Sequence, residues 1–348
     1  MKIKHLLVML LLLSLLFAGC EPYEPYDPIS PTVSDSGALT VHFIDVGQAD
    51  CILLESDGQF MLIDGGNRED SSLVVSYLEQ QGVQTLEAVV CTHAHEDHVG
   101  GLPGVLAVFP TKAVYSPTKT YASNIYDKFL YYVDQQGLEV TLPVSGTVLT
   151  LGDAQITILG PLKSYAETNN TSIVLKAVYG ETSFLFTGDM EQEAEHDLLE
   201  AGLDLKADVL KVGHHGSHTS TGYRFLYEVE PTYAVISVGT GNDYGHPHKE
   251  TLELYEDAGL PMLRTDALGT VLAVSDGREV TLTWEKQQSV PMNLEPAEGF
   301  GKYIANKNSK TLHTPFCSGL PKEANRIYYD SYEAAMADGC KPCTGCIG

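Results

Sequence analysis

The stretch that decides the fold is Thr92-His93-Ala94-His95-Glu96-Asp97-His98-Val99-Gly100-Gly101, which follows an apolar run typical of a buried strand. Four potential metal ligands fall within six residues, so one loop can present imidazoles and a carboxylate to a common point. The spacing predicts that His93 and His95 bind one cation and that Asp97 and His98 bind a neighbouring one. Mixed histidine and aspartate ligation suits zinc or manganese better than magnesium or calcium. A solvated polar loop, the alternative, explains this density of histidines poorly.

Three later stretches also place ligand-type side chains after predicted strands. They are Thr187-Gly188-Asp189, Gly213-His214-His215-Gly216 and Tyr244-Gly245-His246. Asp189 alone is a weak signal, because an aspartate before a helix is a common cap. Sheets of the α/β type place their chemistry at the ends of strands, however, so we expect these loops to meet the first one at one edge.

The rest of the body alternates short β-rich runs with amphipathic helical stretches. Strands outnumber helices and the helices are interspersed, which predicts sheets packed in the middle with helices outside. The predicted helices are 71–81, 124–136, 191–200 and 250–258, and the predicted strands are 39–45, 51–55, 60–64, 86–91, 156–159, 172–178, 183–186, 208–212, 233–237 and 270–274.

Together these motifs resemble the metallo-β-lactamase superfamily. A finer set is similar to the extracellular hydrolase domain of ComEC-type DNA-uptake proteins, and it comprises Phe43-Ile44-Asp45-Val46-Gly47-Gln48-Ala49-Asp50 and residues 170–175, 214–217 and 244–246. The resemblance covers roughly residues 39–284. It implies an α/β fold, the αββα sandwich, with two divalent metal ions at one edge.

The resemblance also implies roles for single residues. Asp189 would bridge the two metals, and a histidine of the His214-His215 pair would complete the second site. We favour His214 because it leaves the strand first. Asp97 or Asp189, besides being a ligand, would orient a metal-activated hydroxide, and His246 would contact a substrate phosphate or the leaving group.

One departure from the superfamily pattern concerns the first metal. Many members supply a third histidine to it from the stretch before the bridging aspartate, and residues 99–195 contain no histidine. Asn169 or Asn170 lies about where that ligand would fall. We therefore expect fewer protein ligands, and weaker binding, at the first metal.

The function indicated by these residues is metal-dependent hydrolysis by a binuclear centre, with no nucleotide cofactor. The leading hypothesis is a phosphodiesterase, or nuclease, that acts on extracellular DNA. A second hypothesis is hydrolysis of small envelope phosphoesters, as by a phosphorylcholine esterase, or of lactams. A third is a DNA-binding lipoprotein whose hydrolase domain is vestigial, although the full set of ligands argues against it.

The N-terminus is predicted to be a targeting sequence. Lys2 and Lys4 precede an apolar run over residues 6–18, which is the right length for a signal peptide and short for a membrane span. The end of this run, Phe17-Ala18-Gly19-Cys20, resembles a lipobox, so Cys20 is predicted to carry a lipid on the outer face of the cytoplasmic membrane. An ordinary secretory peptide is the alternative. We assign residues 1–20 to the signal peptide and 21–37 to a Pro-rich acidic tether.

The C-terminal residues form a separate unit in this interpretation. A hydrolase domain over 38–285 is followed by a linker over 286–300 and a module over 301–348. In the module, His313 and Cys317 with Cys343 and Cys346 have the spacing of a structural zinc site. The segment resembles the zinc-binding domain of the Ada repair protein. Two disulfides are the rival in an exported chain, and Cys340 adds an odd thiol.

Charge separates the module from the rest of the chain. The formal net charge is −25, which excludes nonspecific electrostatic binding of DNA by the surface as a whole. Residues 301–348 instead hold six basic side chains against four acidic ones. We therefore expect the module to touch nucleic acid through Lys302, Lys307, Lys310 and aromatics such as Tyr303.

Overall fold

The computed structural model describes residues 37–286 and 302–347. The predicted signal peptide, the lipidated Cys20, nearly all of the tether and the linker beyond residue 286 lie outside these ranges. Within them, no helix combines the length and the apolar character needed to cross a bilayer.

Residues 37–286, the predicted hydrolase domain, contain strands and helices in alternation. Its strands are β1 (Leu39–Phe43), β2 (Ile52–Ser56), β3 (Gln59–Ile63), β4 (Ala88–Val90), β5 (Val114–Tyr115), β6 (Val140–Thr141), β7 (Val148–Leu151), β8 (Ala154–Gly160), β9 (Val174–Tyr179), β10 (Thr182–Phe186), β11 (Val209–Lys211), β12 (Tyr233–Ile236), β13 (Met262–Arg264), β14 (Val271–Ser275) and β15 (Val280–Trp284). Its helices are α1 (Ser71–Gln80), α2 (Glu96–Val99), α3 (Leu102–Val108), α4 (Asn124–Gln135), α5 (Gln192–Glu200), α6 (Tyr223–Val229), α7 (Lys249–Asp257) and α8 (Thr265–Leu268).

Two sheets form the centre of this domain. One has the order β15-β14-β1-β2-β3-β4-β5-β6 and the other β13-β12-β11-β10-β9-β8-β7. Their inner faces share one apolar core, in which Phe43 of β1 and Phe186 of β10 have ring centroids 6.3 Å apart. Helices α1, α3 and α4 cover the outer face of the first sheet, and α5, α6 and α7 cover that of the second. The expected αββα sandwich is therefore confirmed.

Most predicted elements are present, with ends shifted by one or two residues, but several short ones were missed. Helix α3 contains Pro103 and Gly104, which weaken any helix prediction. It forms because Leu102, Val105 and Leu106 are buried against the first sheet, so that packing outweighs intrinsic propensity. The edge strands β5 and β6 have two residues each, too few to show a period in sequence.

Parallel pairing explains why the ligand loops meet. In the second sheet Phe186, Lys211 and Val235 are neighbours across β10, β11 and β12, so the loops that follow these strands leave at the same edge. In the first sheet Ile63 pairs in parallel with Val90, which brings the loops after β3 and β4 together. Both edges lie at the same end of the sandwich, because Ile173 N donates to Thr92 O across the two sheets.

The C-terminal module is a small sheet with one helix. Its elements are β16 (Tyr303–Asn306), β17 (Thr311–His313), β18 (Arg326–Tyr329), α9 (Tyr332–Ala337) and β19 (Lys341–Pro342), with strand order β18-β16-β17-β19. The expectation that Tyr303 contacts nucleic acid is wrong, because its side chain is fully buried between the module and α6. Tyr328 is the module's exposed large aromatic residue, at 58%.

Glu195 on α5 is a buried carboxyl group that fixes the start of α6. Thr221 N and Gly222 N donate hydrogen bonds to it. Burial raises the pKa of Glu195 from 4.5 to about 8, in spite of these two bonds. The folded chain therefore binds a proton that the unfolded chain loses near pH 4.5, so this group makes stability fall as pH rises from about 4.5 to 8.

We predict that Glu195→Gln flattens this part of the stability profile, because the amide resembles the protonated acid. The melting temperature of the variant should rise relative to that of the wild type as pH increases from 5 to 8, because only the wild type loses stability by this titration. Glu193→Gln, an exposed change on the same helix, is the control and should keep the wild-type slope. Parallel profiles for wild type and Glu195→Gln would contradict the prediction.

Candidate metal centre

The first group of candidate ligands comes from the loop after β4. His93 Nε2 lies 3.1 Å from His95 Nδ1 and 3.9 Å from Asp189 Oδ2. The His93 ring is fully buried, and its Nδ1 lies 3.3 Å from Thr92 Oγ1. His93 therefore directs Nε2 toward both His95 and the aspartate, as two ligands of one cation require.

The second group lies beside the first and shares Asp189 with it. Asp97, His98, Asp189 and His215 each offer a ligand atom, and these atoms lie within 4.8 Å of one another. Asp189 Oδ2 is 3.3 Å from His98 Nε2 and 3.6 Å from His215 Nε2. Asp97 Oδ2 is 3.3 Å from His215 Nε2. The structure thus brings together the predicted ligands of three separate loops, with one carboxylate common to both groups.

The geometry favours His215 as the ligand of the second group, whereas the sequence favours His214. His215 is buried, and its Nδ1 lies 3.0 Å from the carbonyl of Ser237, which leaves Nε2 facing the carboxylates. His214 is more exposed and its Nε2 is 3.7 Å from Asp189 Oδ2, while its Nδ1 lies 3.3 Å from Glu191. The order in which residues leave the strand is a poor guide here, because both histidines have positive φ and the chain reverses its course.

Asp64 is a supporting residue that the sequence predicts only as the end of the strand over 60–64. Its carboxylate accepts hydrogen bonds from Thr92 N and Thr92 Oγ1, both at 2.7 Å. It also lies 2.8 Å from His98 Nδ1. A carboxylate on one ring nitrogen fixes the tautomer and aims the other nitrogen at the site. Its position directly after a strand, before Gly65-Gly66, was the available signal.

Asp50 and Lys211 form a second buried support, with 2.7 Å between Asp50 Oδ2 and Lys211 Nζ. Asp50 Oδ1 lies 3.4 Å from His215 Nδ1, and Asp50 N donates to the carbonyl of Asp97. The lysine ammonium compensates a carboxylate that has almost no solvent contact. This pair therefore ties the loops of Asp97 and His215 to each other.

The two asparagines near the missing histidine differ in role. Asn170 Oδ1 accepts hydrogen bonds from Glu191 N and Ala194 N, so it caps α5. Asn169 lines the cavity over the candidate ligands, and its Oδ1 is buried without a hydrogen-bond partner among the described residues. Asn169 is thus the better candidate for a weak ligand.

The charges of the centre favour a cation. Burial raises the pKa of the Asp189 carboxyl, but His98 and His215 together hold it well below its ordinary value. Burial by itself would lower the pKa of His215, but the neighbouring Asp189 and Asp50 carboxylates raise it to about 10. Carboxylates packed in this way demand neighbouring positive charge, which protons on the histidines or bound cations can supply.

Unpartnered buried atoms give a direct test of whether metals fit. His98 Nε2 and Asp189 Oδ1 have almost no solvent contact and no hydrogen-bond partner among the described residues. Both atoms belong to the group of four candidate ligands. Orphaned buried donors and acceptors are rare in native proteins, so a ligand for them is expected. The nitrogen and oxygen donor set fits zinc, manganese or iron.

His246 stands at the rim of a cavity of about 750 Å³ over these ligands. Its ring lies 5.4 Å from that of His214, and Gln48 Nε2 donates to its Nδ1 at 3.4 Å. Exposed Tyr244 stacks on it at 21°. Burial and the neighbouring His214 lower the pKa of His246 to about 4, so the ring is neutral and presents an N–H at Nε2. Among the described residues that line the cavity there is no lysine or arginine.

The module holds the second candidate metal site, where His313, Cys317, Cys343 and Cys346 place their ligand atoms within 4.8 Å of one another. Thr314 N donates to Cys346 Sγ and Gly319 N to Cys317 Sγ, both at 3.4 Å. All the module's cysteines are free. Cys340 is buried in the apolar cluster instead, so the three remaining thiols cannot pair as two disulfides. The donor set fits a tetrahedral structural zinc.

Comparison with known proteins gives a consistent result. The family model described as "Metallo-beta-lactamase superfamily" matches residues 44–240 of this chain. ComE operon protein 3 of Bacillus subtilis is 33% identical over 70% of this chain and 34% of its own length. Recombination protein 2 of Haemophilus influenzae is 32% identical over 61% of this chain and 26% of its own. Competence protein ComA of Neisseria gonorrhoeae is 29% identical over 74% of this chain and 34% of its own. The chain thus spans about a third or less of these relatives.

Proposed function

This chain belongs to the metallo-beta-lactamase superfamily, and from this premise we propose that it is a metal-dependent phosphodiesterase that cleaves DNA outside the cell. The observation that carries the proposal is the convergence of three strand-end loops at Asp189, whose carboxylate lies near ligands of both groups. A structural role does not require so many buried ionisable groups at one point, because burying each of them costs free energy.

Each group of ligands has a defined part in this proposal. His93 and His95 would hold one cation, Asp97, His98 and His215 would hold the other, and Asp189 would be available to both. Two divalent cations in such a site polarise a phosphoryl oxygen and lower the pKa of a water molecule. Asp97, which is partly exposed at the cavity floor, accepts a proton or orients the attacking water.

The charges around the cavity decide how a phosphodiester is held. Glu69, Asp70 and Glu96 line it, and no lysine or arginine is among its described lining residues, so the affinity for phosphate must come mainly from the cations. The N–H of His246 adds a hydrogen bond from the rim. Lys302 and Lys307 on the module are exposed and offer weak, salt-sensitive contacts to more distant phosphates.

DNA is preferred as substrate because the relatives carry the names of competence and recombination proteins. Small envelope phosphoesters and lactams are the competing substrates.

The assay that separates these substrates from DNA uses the purified chain loaded with manganese or zinc and offers linear DNA, bis(p-nitrophenyl) phosphate, a phosphorylcholine ester and a lactam. We expect cleavage of DNA and of the synthetic diester, with both activities lost on chelation. Turnover of only the choline ester or the lactam would overturn the nuclease assignment, and DNA binding without any hydrolysis would favour the vestigial domain.

We also propose that the chain is an exported lipoprotein anchored through Cys20. The motivation is the charged, apolar and lipobox-like order of residues 1–20. Cys20→Ala should release the protein into the medium, as measured by fractionation of expressing cells. Retention of this variant in the membrane fraction would contradict the anchor.

A further inference from the structure

We infer that the C-terminal module positions the His214-His215 loop of the metal centre, and that Arg224 on α6 is the residue through which it does so. The inference rests on the proposed metal centre, but it does not depend on DNA being the substrate. It assigns the module a role inside the hydrolase in addition to any contact with nucleic acid.

The loop that carries the histidines needs external support. His214, His215 and Thr221 have φ values of 50°, 52° and 50°, in the left-handed region that non-glycine residues rarely adopt. Such residues keep this conformation only where the surrounding structure imposes it. The loop is closed on itself by Gly213 N, which donates to Thr221 Oγ1 at 3.1 Å. Whatever fixes Thr221 therefore also fixes the backbone beside the two histidines.

Helix α6 continues directly from this loop, and the module packs against it. Tyr223 OH donates to the carbonyl of Lys302 at 2.9 Å, and Tyr227 OH donates to the carbonyl of Asp330 at 3.0 Å. Both tyrosines also belong to the apolar cluster formed around buried Tyr303 of the module. The first turn of α6 is thus held from outside by the module and from inside by Glu195.

Arg224 joins the elements that meet at α6. Its Nη1 lies 3.1 Å from Glu200 on α5, and its Nη2 lies 3.0 Å from Glu333 on α9 of the module. The guanidinium also lies 3.8 Å from the centroid of the Tyr332 ring. Arg224 is only 9% exposed, whereas the side chains of Glu200 and Glu333 are more than half exposed. The stacking of the guanidinium on Tyr332 is therefore better shielded from solvent than its two ion pairs. Since α5 also carries Glu195, Arg224 links both supports of the loop.

The module's own candidate zinc site faces the same loop. A cavity of about 530 Å³ is lined on one side by His218 and Thr221 and on the other by Cys317 and Cys346. A structural zinc stabilises a domain too small to fold alone. The order of the module, and with it the support of α6, is therefore linked to the thiolate cluster across this cavity.

The test measures metal affinity rather than turnover. The full-length chain is first given one equivalent of zinc, which the thiolates of the module bind in preference to the histidines and carboxylates of the other site. Mn²⁺ prefers oxygen and nitrogen ligands to thiolates, so titrating it into this chain and following free Mn²⁺ by electron paramagnetic resonance reports on the hydrolase centre. We expect Arg224→Gln to weaken Mn²⁺ binding by about tenfold or more, as loss of supporting residues around metal ligands does. Arg224→Lys should restore part of the loss.

Two further variants separate positioning from general damage. Tyr332→Leu weakens the same contact from the module side and should reproduce the shift without changing α6. Arg264→Gln removes an arginine bonded to Asp266 elsewhere in the hydrolase domain and should leave Mn²⁺ affinity unchanged. Circular dichroism and melting temperature establish that each variant is folded under the assay conditions.

The outcomes distinguish this inference from the proposed function. Wild-type Mn²⁺ affinity in folded Arg224→Gln and Tyr332→Leu would overturn the inference alone. Failure of the wild-type chain to bind either Mn²⁺ or zinc beyond the first equivalent would overturn both it and the proposed metal centre. Absence of DNA cleavage, together with the expected shift in Mn²⁺ affinity, would overturn only the substrate assignment and would support the positioning role.

Discussion

Asp189→Ala is expected to abolish metal-dependent hydrolysis and to lower the metal content of the hydrolase domain. Asp189 Oδ2 lies 3.9 Å from His93 Nε2 and 3.3 Å from His98 Nε2, so one carboxylate serves both groups of ligands. Its Oδ1 is buried without a hydrogen-bond partner among the described residues, which leaves that atom available to a cation. Charge stabilisation by catalytic metals contributes several kcal/mol, so turnover should fall by roughly a thousandfold.

Metal analysis and kinetics on the same preparation test this prediction. Metal per chain should fall while the module's zinc remains, because the thiolate site contains none of these residues. Asp243→Ala is the matched control, since it removes an exposed carboxylate beside Tyr244 without touching the ligand groups. An Asp189→Ala chain that keeps full metal content and wild-type turnover would refute the bridging role.

The parts of the site that sequence alone could predict are those encoded by short spacing. His93, His95, Asp97 and His98 lie in one loop after a strand, so their proximity follows from chain connectivity. Asp189 required one more step, which was the rule that strand ends meet at a sheet edge.

The supporting contacts could not be predicted, because they join residues distant in sequence. Asp64 reaches His98 across 34 positions, and Asp50 pairs with Lys211 from another sheet. No periodicity marks such a pair before the register of the strands is known. The choice between His214 and His215 failed for a local reason, since two successive left-handed residues turn the second ring into the site.

Tyr303 shows how composition misleads in a small module. It lies beside Lys302 in a polar, basic segment, which indicated an exposed aromatic residue. In the structure β16 pairs with both β17 and β18, and its tyrosine packs against α6 of the hydrolase domain. Charge therefore predicted that Tyr303 is exposed. In the structure it is buried against a helix that lies almost 80 residues earlier in the chain.

His246→Ala is expected to reduce turnover by about a hundredfold while leaving metal content near normal, because a positioned hydrogen-bonding or proton-transferring group contributes on that order. The ring stands at the rim of the cavity, is oriented by Gln48 and is not among the four grouped ligands. Its neutral Nε2–H is suited to donate to a phosphate oxygen or to the departing oxygen.

Two substrates show which oxygen His246 serves. If the N–H stabilises the leaving oxygen, the loss should be larger for DNA than for bis(p-nitrophenyl) phosphate, whose leaving group needs little help. Equal losses would place the contact on a non-bridging phosphate oxygen. Asp243→Ala, an exposed change in the same loop at a residue that does not line the cavity, is the control and should retain turnover. A His246→Ala chain whose metal content falls in step with its activity would make His246 a ligand and refute its assignment to the substrate.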